Sequence, residues 1–171
     1  REKLMQLNQG TAEKKIADLG MSDLPLIEFT PRPHKIAPDW FARYKDLCKQ
    51  FMLSLTDSVE TLAFMNLTQD EFMNIIMGHA LPQNISIRFR IPLAWGGELD
   101  INNMFMCWTF PHAYNMDRFI ISQSGNKTVW LPNPSKKIYL PAHTAGGGDG
   151  GNATEDRLAQ MGAQLAGGRD M

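Results

Sequence analysis

Ile85-Ser-Ile-Arg-Phe-Arg-Ile91 sets apolar and polar side chains in alternation. Ile85, Ile87, Phe89 and Ile91 fall on one face of an extended chain, and Ser86, Arg88 and Arg90 on the other. The segment reads as a half-buried strand whose polar face carries two arginines. It runs into Pro92-Leu93 and then Gly96-Gly97, a turn by composition. Asn103–Phe110 follows as a second apolar stretch, too short and too aromatic to read as a helix. After Pro111-His112, Ala113–Ile121 has the pattern of a short helix.

The chain before this strand reads as helical. Phe41, Tyr44, Cys48, Phe51 and Leu55 recur at helical spacing after Pro38, which suits a first helical turn. Thr68-Gln-Asp-Glu71 has the spacing of a capping box. It opens a second helix with Phe72, Ile75 and Ile76 as its buried stripe and Gly78 as its stop. Residues 3–19 read as a polar helix, interrupted at Gly10 and closed by Gly20. Between them, Ser22–Pro38 holds four prolines in 17 residues. Each removes a backbone donor and restricts the residue before it, so an extended strap is expected.

Downstream, Val129-Trp-Leu131 and Ile138-Tyr-Leu140 are short strand candidates on either side of a Pro-Asn-Pro-Ser-Lys-Lys turn. Eight of the 14 glycines lie from Gly146 to Gly168. Gly146–Gly151 reads as a hinge, and Asn152-Ala-Thr-Glu155 as the cap of a C-terminal helix with Leu158, Met161 and Leu165 on its thin apolar stripe.

The whole-chain numbers bound the classes. At 171 residues, 43% hydrophobic and 20% charged, one core can form and bury roughly 70% of the unfolded chain's surface. The net charge of −1 provides no global basic field, so any nucleic-acid surface must be a local patch. Cys48 and Cys107 are too few for a disulfide framework and lack metal-ligand spacing. No signal-peptide pattern is seen. The longest nearly apolar run, Met104–Phe110, is far short of the roughly 20 residues that span a bilayer. The chain starts at Arg1, as a released or trimmed piece of a longer polypeptide would.

Residues 78–121 carry a resemblance. Gly78-His-Ala-Leu-Pro82, Ile87-Arg-Phe-Arg-Ile-Pro-Leu93, Gly96-Gly97, Asp100, Asn103 and Pro111-His112 together resemble the His–Me finger (HNH-type) nucleases. More narrowly, they resemble the toxin modules at the C-termini of bacterial Rhs, contact-dependent and type VI secretion effectors. The resemblance covers about 45 of the 171 residues. It implies a β-hairpin followed by a helix, with one divalent metal such as Mg²⁺ or Zn²⁺ held between them. It also implies action on DNA or RNA in a target cell's cytoplasm, and a cognate immunity protein as partner. In such sites a general base deprotonates water, and the metal holds the scissile phosphate and the leaving oxygen. The family's His-His pair supplies the base. Its two positions are filled here by Arg88 and Phe89. Arg stays protonated and accepts nothing, and Phe does not titrate. Asn103 stands at the family's loop-orienting Asn and His112 at its later His. The ligand expected one helical turn on falls on Met116, poorly suited to a hard cation.

This departure leaves two outcomes. In the first, the site is re-tooled as a nuclease with Arg88, Asn103 and His112 as its catalytic set. Arg88 and Arg90 would grip nucleic-acid phosphate. His112 or His143 would move the proton, and Asp100, with Asp117 also available, would offer a carboxylate to a metal. In the second, the scaffold persists without hydrolysis, binding a protein partner or serving as a structural piece of a larger secreted assembly. Plainer readings stand beside both. Arg88 and Arg90 can be solvated charge, and His112 a packing residue. His79 can be a helix C-terminal cation and His34 a structural part of the strap. The glycines after His143 lack the Gly-Lys-Ser/Thr of a P-loop. Met65, Met73, Met77, Met104, Met106 and Met116 fill a core or offer an adaptable surface. The expected fold class is α+β. It has a helical part with its strap over residues 1–78, a ββα-like core with short strands over 79–145, and a hinge and helix over 146–171.

Overall fold

The computed structural model describes residues 6–56, 64 and 66–142. The expected C-terminal hinge and helix, His143 and Met65 lie outside the described residues. Local signals set the helix starts. Asn8 accepts the Thr11 N–H at 2.8 Å and opens α1 (Gln9–Asp18), so Gly10 sits in the first turn and interrupts nothing. After Pro38 comes α2 (Trp40–Leu53). The capping box forms in both directions at α3 (Gln69–Ile76): the Glu71 amide donates to the Thr68 hydroxyl at 3.1 Å, and the Thr68 amide to the Glu71 carboxylate at 3.0 Å. Gly78 follows with φ +68°, the left-handed stop that its position predicts.

The proline strap is extended, and part of it is a strand. β1 (Leu26–Phe29) lies between Pro25 and Pro31, in the longest proline-free run of the strap. It pairs antiparallel with β4 (Val129–Pro132). A second sheet has the order β2-β3-β5, from β2 (Ile85–Phe89), β3 (Met104–Trp108) and β5 (Ile138–Tyr139). β2 and β3 are antiparallel with Ile87 opposite Met106, and β5 runs parallel to β3. The two short downstream strands therefore join different sheets rather than each other. After β3, the Thr109–Ala113 turn leads into α4 (Tyr114–Ile121). The fold is α+β, with a helix following an antiparallel strand pair.

The three-stranded sheet is covered on both faces. Ile85, Ile87, Met104, Met106 and Trp108 pack against α2 and α3 through Tyr44, Cys48, Phe51 and Ile75. Phe105 and Cys107 pack the opposite way, against Ala12 and Ile16 of α1 and Met116 and Phe119 of α4. This corrects the expectation of a solvated arginine face, since Ser86 and Arg88 are buried beneath those elements.

Two asparagines close the ends of the β2–β3 pair. A carboxamide carries one donor edge and one acceptor edge, as a peptide group does. At one end Asn103 Oδ1 accepts the Ile91 N–H at 3.0 Å, and its Nδ2 donates to the Ile91 and Glu98 carbonyls at 3.0 Å each. At the other, Asn84 Oδ1 accepts the Phe110 N–H at 2.8 Å and its Nδ2 donates to the Phe110 carbonyl at 3.2 Å. Gly97 is required beneath Asn103, because a Cβ there would overlap the Ile91 carbonyl. Between the two strands, the Arg90 N–H donates to the Asn103 carbonyl at 2.7 Å, which sets the ladder phase and turns the Ile87 carbonyl to the outer edge, away from β3. The Tyr44 hydroxyl donates to that carbonyl at 2.7 Å.

Candidate functional site

The space between the strand pair and α4 is filled by an ion pair. Arg88 projects from β2 and meets Asp117 of α4, 29 residues on. Arg88 Nε lies 3.3 Å from both carboxylate oxygens, and Nη2 lies 3.3 Å from Oδ2. The residues are 7% and 5% exposed. Nη1 finds no hydrogen-bond acceptor among the described residues. Burial works against the Arg88 charge, and Asp117, with Tyr44 and Cys107, more than offsets it. For Asp117, burial pushes the carboxyl up and Arg88 pulls it back only in part. Cys107, fully buried on the same face, has its thiol pushed up to about 12 by burial, against the pull of Arg88. Beside the pair, the Ser86 and Thr109 hydroxyls, both fully buried, bond to each other at 2.5 Å.

The other candidates have separate tasks. Arg90 holds the turn between β4 and β5: Nη1 donates to Asn133 Oδ1 at 3.1 Å and to the Pro134 carbonyl at 2.6 Å, and Nη2 to the Lys136 carbonyl at 3.1 Å. Its guanidinium also lies 5.6 Å from the Phe105 ring centroid. Asn103 clamps the 91–98 loop, as above. Asp100 Oδ2 accepts the Asn102 N–H at 3.3 Å, capping a short 3₁₀ turn. His112 is 3% exposed, and its ring packs tilted against Tyr139 at 5.5 Å. Met104, Met106 and Met116 fill the core, whereas Met73 and Met77 are exposed. His79 is exposed just past the end of α3, and His34 is exposed on the strap.

A divalent cation between strand pair and helix does not fit these residues. The arginine there carries a fixed positive charge. The nearest carboxylate, Asp117, is its counter-ion. The sequence missed Asn84 and cast Asp117 as a carboxylate for a metal rather than as the partner of Arg88. Asn84 gave one weak signal, an Asn just ahead of an alternating run. Asp117 was visible as an acid on a helix, but nothing local tied it to Arg88. Comparison with protein-family models, curated proteins and solved structures returns no match. Among the described residues no helix is long and apolar enough to cross a membrane.

Proposed function

We propose that this chain is a non-hydrolytic module of His–Me finger ancestry, the toxin-end domain of a bacterial effector that works by binding rather than by cutting nucleic acid. The observation that carries this reading is the buried Arg88–Asp117 pair. It stands between β2 and α4, where the resemblance expects a metal. With both charges neutralising each other, neither is offered to a phosphate or a cation. Arg90 is committed to the 133–136 turn, and His112 is closed off from solvent. Asn103 keeps the loop-orienting role that the resemblance implies. On this reading the partners are proteins, among them a cognate immunity protein, and delivery is to a target-cell cytoplasm.

The test is incubation of the whole chain with plasmid DNA and total RNA, in Mg²⁺, Mn²⁺, Zn²⁺ or EDTA, beside a His112→Ala variant checked for folding. Intact substrate under every condition is expected. Metal-dependent cleavage that EDTA stops and the folded variant lacks would overturn the reading, and would restore the nuclease one.

A further inference from the structure

A cleft of about 690 Å³ opens on the other side of the Gly96–Gly97 loop, between it and the proline strap. One wall is Arg32–Ala37 and the other is the 93–99 loop, with Arg43 of α2 completing the rim. This volume lies within the ~300–1,000 Å³ range of small-molecule sites. The walls are fixed. The Arg32 N–H donates to the Trp95 carbonyl at 3.1 Å, tying strap to loop at the base. Gly96, at φ +105°, lets the Arg32 guanidinium lie flat on the loop, with Nη2 only 3.3 Å from where a Cβ would stand. Asn103 and Gly97 hold the loop from behind.

The charge in this cleft differs from that of the chain. Arg32, Lys35 and Arg43 face one carboxylate, Glu98, in a protein whose net charge is −1. Arg43 is loosely paired with Asp39 at 3.9 Å, with both side chains more than half exposed. His34 lines the same wall and adds a hydrogen-bonding ring. Leu93, Leu99 and Ile36 provide the floor with apolar surface, and no Phe, Tyr or Trp is among the described residues that line it. Cations at the rim and aliphatic carbon below suit a ligand with an anionic head and a compact body. Guanidinium and ammonium groups together recognise phosphate oxygens.

We infer that this cleft binds a phosphate ester of nucleotide size, gripped by Arg32, Lys35 and Arg43 and screened by Glu98. The shared chemistry is the phosphate ester, carried either by a free nucleotide or by the end of a nucleic-acid strand. The site stands on the strap and the loop, and it does not depend on the ancestry of the strand pair and helix.

The test is fluorescence anisotropy of the whole chain with a labelled nucleoside diphosphate at low salt. Competitors are pyrophosphate and a short single-stranded oligonucleotide with or without a 5′-phosphate. Saturable binding that weakens with added salt is expected. Arg32→Ala combined with Lys35→Ala should cost about tenfold or more in affinity, since both are exposed and charge-assisted bonds to phosphate are lost. Glu98→Gln should tighten binding, and Lys136→Ala, an exposed cation outside the cleft, should leave it unchanged. Competition by pyrophosphate and nucleotide alone identifies a free nucleotide as the ligand. Competition by the 5′-phosphorylated strand as well identifies a strand end. Absence of saturable binding to every probe would overturn the inference. So would wild-type affinity in the folded double variant, or a Glu98→Gln variant that binds more weakly.

Discussion

The two faces of the β2-β3-β5 sheet are buried to the same depth by different means. Toward α2 and α3, Ile85, Ile87, Met104 and Met106 are apolar, and each is 0% exposed. Toward α1 and α4, Phe105 and Cys107 share the burial with Ser86, Thr109, Arg88 and Asp117. An apolar face gains from each side chain nearly independently, in proportion to the area it hides. A polar face gains only when both members of each pair are present, because one buried charge alone costs more than the pair returns. The first face provides stability. The second provides register, since Arg88 reaches Asp117 only when β2 and α4 are docked correctly.

The comparison is broken most directly at the ion pair. Arg88→Ala or Asp117→Ala alone should lower unfolding stability by about 3–5 kcal/mol, measured by chemical denaturation. Replacing both by apolar residues, Arg88→Met with Asp117→Leu, should bring stability back to within about 1 kcal/mol of the parent or above it. On the opposite face Ile87→Ala should cost a similar ~2–5 kcal/mol, with no second substitution of that kind to rescue it. Equal, non-rescuable losses on both faces would erase the distinction. A smaller effect is expected at the end of the strand pair. Asn103→Ala strips three hydrogen bonds from the 91–98 loop and should cost about 1–3 kcal/mol, with faster amide exchange at Ile91. The smallest per step of the variable changed is a pH effect on the polar face. The Cys107 thiol is raised to about 12 in the folded chain, above its ordinary value. Its contribution is therefore complete below the ordinary thiol pKa and is lost as pH climbs toward the folded value. Stability should fall by roughly 1 kcal/mol per pH unit above about 9, and Cys107→Ala should flatten that limb.

What was legible in the sequence follows the range of the interaction. Thr68 and Glu71 are three residues apart, and their box was readable to the atom. The α2 stripe and the alternation of β2 were equally local. The strand within the strap was not, because β1 exists only when β4, about 100 residues on, supplies the other half of the ladder. The burial of Arg88 was misread for the same reason. Alternation shows that two faces differ in polarity, but not that a helix from beyond the turn covers the polar one. Asn103 was singled out as part of a catalytic set, whereas its bonds to Ile91 and Glu98 emerge only once the loop folds back onto it. The cleft cations were in plain sight as Arg32-Pro-His-Lys35, yet only the tie from Arg32 to Trp95 brings that run against the glycine loop.

The phenol at position 44 has a consequence beyond this one molecule. β2 is the margin of its sheet, and an uncovered margin is a template on which foreign strands stack into fibres. By donating to the outward Ile87 carbonyl, Tyr44 occupies the acceptor at the middle of that margin and stands in the path of an incoming chain. With β2 buried from Ile85 to Arg88, that hydroxyl is one of the contacts that withhold the margin from templated strand pairing.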